Sequence, residues 1–265
     1  MDFQYLDVGN LRISYLDTGS ADNPIVLLIH GLGGSIESWT NNINPISKRQ
    51  FRVIVVDLPG FGFSDKPKIN YTISFYTMFI EKFLKTLKVS SSVSIVGCSM
   101  GGHIAAEVAI NYPDLVSKLV LISPAGALPV SFKGTPALRN YISVLKANSM
   151  QEVKKALSSI DDNPVNDTYA QIFYRRLSMP GAKEAFISAL KGSTDAPRLS
   201  KRLYKIQAET LLIWGKNDQI IPVKFIGPFV KMKNCRIILI EKCGHIPFLN
   251  RPTLFNKIVI DFIKE

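Results

Sequence analysis

Short, unbroken apolar runs alternate with helical patterns along most of the 265-residue chain. Such runs are typical of strands buried on both faces, because helices cover both sides of a parallel sheet. The alternation therefore predicts an α/β fold with a mostly parallel, doubly wound sheet of eight strands. Gly9 and Asn10 form a hairpin signal between the first two strands, which predicts an antiparallel edge. The predicted strands are residues 3–8, 11–17, 25–30, 52–57, 93–97, 119–123, 210–215 and 236–241.

The alternation stops after residue 123 and resumes near residue 210. Only helical patterns separated by chain breakers lie between these points, which predicts an insertion into one core domain. The expected division is a core of residues 1–124 and 206–265 and a helical cap of residues 125–205. Core helices are predicted at residues 35–48, 74–88, 100–111, 223–232 and 252–264, and cap helices at residues 136–148, 151–159, 166–177 and 181–191.

The formal net charge is +11, and the excess is concentrated in one segment. Residues 133–205 carry 13 Lys or Arg and six Asp or Glu. The cations are scattered and no nucleic-acid motif accompanies them, so a solvated surface is expected rather than a nucleic-acid interface. Preference for an anionic acyl group or an acidic surface is the alternative. No apolar run is long enough to span a bilayer, and the first residues lack signal-peptide features, so a cytoplasmic location is expected.

Residues 97–102, Gly-Cys-Ser-Met-Gly-Gly, follow a predicted strand and open a predicted helix. A serine nucleophile needs its hydroxyl lifted out of the sheet on a tight, strained turn. Glycines two positions before and after Ser99 remove side chains that would clash across that turn. The backbone N–H of Met100 then lies at a helix N-terminus, where it can bind an oxyanion. The motif predicts Ser99 as nucleophile and Met100 as an oxyanion donor.

A second glycine-rich turn, residues 29–34 (Ile-His-Gly-Leu-Gly-Gly), also follows a buried strand. Its glycines lack the spacing of a dinucleotide-binding loop, and no P-loop lysine follows. An acyl-transfer site needs a second N–H donor for its tetrahedral oxyanion, and a turn at the carboxyl end of a strand can supply one. Leu32 is the predicted second donor.

Three histidines are available as a general base. His30 lies in the second glycine-rich turn and His103 on the helix after Ser99, so both are expected to be structural. His245 lies in a loop between the last strand and the last helix. His245 is therefore the predicted base.

These motifs together resemble the α/β-hydrolase superfamily over nearly the whole chain. The resemblance implies the chain order Ser, Asp, His and places the acid in the turn after one of two strands. The turn after residues 119–123 has no carboxylate, whereas the turn after residues 210–215 holds Asp218, which the resemblance implies as the triad acid. The other matching segments are residues 57–64 (Asp-Leu-Pro-Gly-Phe-Gly-Phe-Ser), residues 214–218 (Trp-Gly-Lys-Asn-Asp) and residues 244–245 (Gly-His). The insertion corresponds to the cap that covers the family's substrate pocket.

Departures from the patterns of several subfamilies narrow the expected activity. Ser99 disfavours the dehalogenases and epoxide hydrolases, which use an aspartate nucleophile. Residues 31–34 lack the Gly-Gly-Pro-Gly turn of proline iminopeptidases. The chain resembles carbon–carbon hydrolases of meta-cleavage products, but Cys98 and Ile246 replace their usual Asn and Trp. By elimination we expect a carboxylesterase; a carbon–carbon hydrolase, a thioesterase, a perhydrolase and a ligand-binding receptor of the same fold are the alternatives.

The expected reaction is hydrolysis of a small to medium, largely apolar ester through an acyl-enzyme. It requires no metal or organic cofactor, and the only partner expected is the small-molecule ester. The oligomeric state stays open, with a homodimer as one option. The pocket is expected between the carboxyl edge of the sheet and the cap. Its predicted walls are Trp39, Leu128, Phe132, Tyr141, Phe173 and Phe248.

Overall fold

An eight-stranded sheet runs through the centre of the protein in a computed structural model, which describes residues 3–19, 22–128, 134–158, 160 and 167–265. The strands are β1 (Gln4–Val8), β2 (Leu11–Asp17), β3 (Ile25–Ile29), β4 (Arg52–Val56), β5 (Val93–Cys98), β6 (Val116–Ile122), β7 (Glu209–Gly215) and β8 (Cys235–Ile240). Their order is β1-β2-β4-β3-β5-β6-β7-β8. The pairs β1–β2 and β2–β4 are antiparallel, and the other pairs are parallel. The predicted fold class and the antiparallel edge are confirmed.

The strand order reverses at β3, which lies between β4 and β5. All residues of β3 and β5 are buried, because helices cover both faces of the sheet at its centre. In doubly wound sheets a crevice opens where the direction of strand addition changes, beyond the carboxyl ends of the strands. Here that point lies between the ends of β3 and β5. Both glycine-rich turns identified in the sequence start there.

Ten α-helices are present in the described part of the chain. They are α1 (Thr40–Ser47), α2 (Ile73–Thr86), α3 (Met100–Asn111), α4 (Pro136–Ile142), α5 (Met150–Leu157), α6 (Asp167–Leu177), α7 (Ala182–Asp195), α8 (Gly227–Val230), α9 (Pro247–Asn250) and α10 (Pro252–Lys264). None of these described helices combines the length and apolar composition needed to cross a bilayer.

Two predicted core helices are more broken than the sequence suggested. The predicted helix 35–48 is a 3₁₀ turn, Ile36–Trp39, followed by α1. The backbone leaves the α region at Trp39 (φ −101°, ψ 8°), which separates the two pieces. The predicted helix 223–232 is likewise a 3₁₀ turn, Val223–Ile226, followed by the one-turn helix α8.

Helices α4 to α7 lie between β6 and β7, where the sequence predicted an insertion. Polar contacts that fix them to the core include those made by Arg176 and Ser188. Arg176 of α6 forms an ion pair with Glu37 of the 3₁₀ turn Ile36–Trp39. On α7, the Ser188 hydroxyl accepts a hydrogen bond from the Tyr71 N–H (3.0 Å) and donates one to the Ile69 carbonyl (3.1 Å). The division into a core and a separate cap domain at residues 125 and 205 stays a prediction.

Candidate active site

Ser99 occupies a strained turn between β5 and α3. Its φ is 56° and its ψ is −116°, a conformation uncommon for residues other than glycine. A Cβ at Gly97 would lie 2.3 Å from the Gly101 carbonyl oxygen, and one at Gly101 would lie 2.4 Å from the His30 carbonyl oxygen. Only glycine fits at either position without a backbone shift. The glycines read from the sequence therefore allow the strand, the helix and the end of β3 to meet around Ser99.

The predicted base and acid form a buried pair. His245 Nδ1 lies 2.7 Å from Asp218 Oδ2. The other carboxylate oxygen, Oδ1, accepts hydrogen bonds from the backbone N–H groups of Ile220 (2.9 Å) and Ile221 (2.8 Å). These bonds fix the acid in its turn. A carboxylate at Nδ1 favours the tautomer that is protonated there. Nε2 is then left to accept a proton from a nucleophile.

One cavity of about 80 Å³ contains both Ser99 and His245 on its wall. It lies where the carboxyl ends of the central strands meet the inserted helices. Its wall is mainly apolar, and no Lys or Arg occurs among the described residues that line it. The lining residues are Gly31, Leu32, Gly34, Ser38, Cys98, Ser99, Leu138, Tyr141, Ile160, Tyr169, Ile220, His245, Ile246 and Phe248.

The two predicted oxyanion donors lie next to the nucleophile. Met100 is the first residue of α3, so its N–H has no acceptor within the helix. Leu32 lines the cavity, and its turn passes so close to Ser99 that a Cβ at Gly31 would lie 3.2 Å from the Ser99 Cβ. Two backbone donors beside a serine and an imidazole can stabilise a tetrahedral oxyanion. The arrangement is therefore capable of nucleophilic acyl hydrolysis.

The other two histidines are buried in structural positions. His30 Nε2 accepts the Leu58 N–H (3.1 Å), and its Nδ1 lies 2.7 Å from the Gly31 carbonyl oxygen. The His103 ring packs under Gly126, where a Cβ would lie 2.6 Å from it. Burial lowers the pKa of each histidine to about 4. Both imidazoles are thus neutral at physiological pH, as expected of packing residues.

Of the six residues predicted as pocket walls, Tyr141 and Phe248 line the cavity. Trp39 is not among the lining residues; it is fully buried and stacks on Phe248 with ring centroids 4.3 Å apart, one layer behind the wall. Phe173 also lies behind the wall, packed edge-on against Tyr141. Leu128 packs against the core outside the lining. Phe132 falls outside the described residues.

Several wall residues were missed from the sequence. Tyr169 precedes Phe173 by one helical turn of α6, so the two aromatics share a face, but only the second was chosen. Ile220 and Ile246 are close neighbours of the acid and the base, a signal that could have identified them. No sequence pattern marks Ser38, Leu138 or Ile160, which reach the cavity through tertiary packing.

No group of three or more His, Cys, Asp or Glu side chains in the described part of the chain is arranged to hold a metal ion.

Comparison with known proteins gives a family and several relatives. Residues 24–252 match the family model described as the alpha/beta hydrolase fold. A curated relative from Metapseudomonas resinovorans, 2-hydroxy-6-oxo-6-(2'-aminophenyl)hexa-2,4-dienoic acid hydrolase, is 28% identical over 99% of this chain and 91% of its own.

Solved structures include relatives with two activities. A bacterial membrane phospholipase A superposes with a TM-score of 0.86 and 29% identity over 99% of this chain and 86% of its own. A meta-cleavage product hydrolase variant superposes with a TM-score of 0.86 and 25% identity, over 98% and 97% of the two chains. The relatives named as hydrolases of a dienoic acid and of a meta-cleavage product correspond to the carbon–carbon hydrolase given above as an alternative, and the expected carboxylesterase is not confirmed. Because the family model spans most of its length, this chain belongs to the α/β-hydrolase family.

Proposed function

We propose that this chain is a serine hydrolase that cleaves a carbon–carbon bond next to a ketone, with Ser99 as nucleophile, His245 as base and Asp218 as the acid that orients the base. The hydrogen bond between Asp218 and His245, at the wall that also carries Ser99, supports the catalytic part. The choice of bond is supported by the curated relative, whose name describes a 6-oxo dienoic acid as its substrate. A ketone has only carbon substituents, so its hydrolysis breaks a carbon–carbon bond.

The proposed reaction has two half-reactions. His245 takes the proton of the Ser99 hydroxyl as its oxygen adds to the ketone carbon, and the N–H groups of Leu32 and Met100 bind the oxyanion. When the tetrahedral intermediate collapses, the carbon–carbon electron pair leaves with the conjugated fragment, and protonated His245 supplies the proton that this fragment takes up. Water, deprotonated by His245, then releases the acyl group from Ser99 as a carboxylic acid.

A second candidate is the hydrolysis of a neutral carboxylic ester by the same residues. A dienoic acid carries a carboxylate, and a buried carboxylate without a cationic partner is costly. None of the described lining residues is Lys or Arg. The cavity, about 80 Å³, is also small beside the roughly 300–1,000 Å³ typical of small-molecule sites. Both observations favour an uncharged ester with a short acyl group.

A two-substrate assay, which compares a dienoate with simple esters, tests the choice between carbon–carbon and ester hydrolysis. The purified protein is given 2-hydroxy-6-oxo-6-phenylhexa-2,4-dienoate, whose conjugated chromophore is lost on cleavage, and separately 4-nitrophenyl acetate and butyrate. The primary proposal expects the larger kcat/KM with the dienoate. Turnover of the esters without turnover of the dienoate would reject carbon–carbon cleavage of this substrate class and support the second candidate, ester hydrolysis. Ser99→Ala is the control for the dienoate and for both esters, and it is expected to be inactive with all three.

A further inference from the structure

A tyrosine on the inserted helix α4 contacts the turn that carries the candidate oxyanion donor Leu32. Tyr141 of α4 is buried, and its hydroxyl donates a hydrogen bond of 2.5 Å to the Leu32 carbonyl oxygen. The two residues are 109 positions apart in the sequence. The bond therefore joins the inserted helices directly to the turn that follows β3.

The same turn is enclosed by aromatic rings at its next residue. Gly33 has a φ of +74°. A Cβ there would lie 2.5 Å from the Tyr141 hydroxyl, 2.8 Å from Phe186 and 3.0 Å from Phe173. The Tyr141 ring packs against both phenylalanines, with centroids 6.2 Å from Phe173 and 5.9 Å from Phe186. Helices α4, α6 and α7 thus each place an aromatic ring against this glycine.

The contact matters because a glycine-rich turn has little conformational preference of its own. Oxyanion donors stabilise a transition state only when they are already aimed at the position of the developing charge. The Leu32 carbonyl and the Leu32 N–H belong to consecutive peptide planes joined at one Cα. Fixing the carbonyl restricts the rotation that would turn the N–H away from the cavity.

The Tyr141 hydroxyl has one proton, which it donates in the hydrogen bond to the Leu32 carbonyl oxygen. Burial raises the pKa of Tyr141 well above 10, so the hydroxyl stays protonated and acts as a donor. The proton is thus committed to the turn and is not offered to the substrate oxyanion. This separates a positioning role from direct participation in the chemistry.

We propose that Tyr141 is a positioning residue of the oxyanion hole, through which the inserted helices orient the Leu32 N–H toward the substrate. The proposal rests on the function proposed above, because it requires Ser99 as nucleophile and Leu32 as donor. It assigns a catalytic consequence to a helix that would otherwise only cover the pocket.

The test is Tyr141→Phe, which removes the hydroxyl and keeps the ring packing. Tyr71→Phe is the matched control, because its hydroxyl also donates to a backbone carbonyl, that of Pro67 (2.7 Å), and Tyr71 is not among the lining residues. With the better substrate of the two-substrate assay, Tyr141→Phe is expected to lower kcat about 10- to 100-fold, below the effect of deleting a whole donor. KM should stay within about twofold, since the donor acts on the transition state.

A trifluoromethyl ketone inhibitor supplies the readout that a merely structural role would not move. It adds to the serine and forms an oxyanion, so its affinity should fall in Tyr141→Phe by about the same factor as kcat. Thermal midpoints of Tyr141→Phe and Tyr71→Phe should be similar. Unchanged kcat and inhibitor affinity in Tyr141→Phe, with Ser99→Ala inactive, would overturn the positioning role alone. A rise in KM without a change in kcat would also overturn it, in favour of substrate contact. Retained activity in Ser99→Ala would instead overturn the proposed function.

Discussion

His245 Nδ1 lies 2.7 Å from Asp218 Oδ2, while Asp218 Oδ1 accepts two backbone N–H groups from the same turn. Backbone N–H groups therefore hold one oxygen of the carboxylate, and the other oxygen faces the imidazole. This geometry fixes the ring orientation and favours the proton on Nδ1. It is the structural basis for treating His245 as a base toward Ser99.

Replacing Asp218 by Asn should keep the fold and remove most of the activity. The amide oxygen can replace Oδ1 as acceptor of the Ile220 and Ile221 N–H groups, which leaves the amide NH₂ facing Nδ1. Two donors in opposition favour the imidazole tautomer protonated at Nε2, which cannot accept the serine proton. We expect kcat to fall by up to about 10⁴-fold, as when the acid of a protease triad is neutralised.

Steady-state kinetics and circular dichroism check this prediction, and Asp114→Asn, the same change at an exposed carboxylate, is the control. Near-native kcat in Asp218→Asn would show that another group orients His245.

Removing either member of the ion pair between Glu37 and Arg176 should destabilise the fold strongly. The two side chains are 9% and 16% exposed, and Glu37 Oε2 and Arg176 Nε lack hydrogen-bond partners among the described residues. Removing one member leaves a largely buried charge unpaired. Glu37→Gln and Arg176→Met should each lower the free energy of unfolding by about 3 kcal/mol. The double variant should lose less than the sum of both.

Urea unfolding of the two single variants and the double variant measures this coupling. The exposed pair Lys257–Asp261, at 75% and 59% exposure, is the control and should couple by less than about 1 kcal/mol. If the losses in free energy of unfolding caused by the two single substitutions add up in the double variant, Glu37 and Arg176 do not interact.

His103 should make the folded state sensitive to acid. Its pKa is lowered to about 4, mainly by burial and further by the Arg202 cation, while an unfolded chain titrates near 6.5. Between these pH values the unfolded state binds more protons than the folded state. The contribution of His103 to the free energy of unfolding is therefore fully present above pH 6.5 and is lost as the pH falls toward 4. One such group changes the free energy of unfolding by at most about 1.4 kcal/mol per pH unit. Glu107 Oε1, 3.9 Å from His103 Nε2 and paired with Arg202, is the other charged group at the ring.

His103→Leu removes this titration and keeps an apolar side chain under Gly126. Between pH 7 and 4.5, the free energy of unfolding of His103→Leu should fall less steeply than that of the parent. The pKa of His30 is also lowered by burial, and this histidine still titrates in both proteins. Parallel pH profiles would show that His103 does not contribute to the acid sensitivity.

The central strands could be predicted because burial on both faces leaves a plain pattern. Residues 25–29 and 93–98 are apolar enough to be read as strands and are wholly buried in the structure. The order in which the strands pair could not be read, because β3 separates β4 from β5 through contacts that no local pattern encodes. The predicted helix boundaries were wrong where a 3₁₀ turn changes to an α-helix, as at Trp39.

The candidate triad was more predictable than its pocket. Ser99 lies within a motif whose glycines are needed for backbone clearance, and His245 was left after two other histidines were assigned to packing. Walls of the cavity come from the inserted helices and depend on how those helices dock. Trp39 was predicted at the wall, yet it is fully buried and stacks on Phe248, outside the cavity lining.

Covalent labelling tests most directly whether Ser99 is the nucleophile. A fluorophosphonate reacts with an activated serine hydroxyl, so intact-protein mass spectrometry should show one adduct, which peptide mapping should place on Ser99. Ser99→Ala, which loses only the hydroxyl, should remain folded and give no adduct. Ser94→Ala, at a buried serine of the same strand outside the cavity lining, should label like the parent. An adduct of undiminished yield on Ser99→Ala would show that Ser99 is not the nucleophile.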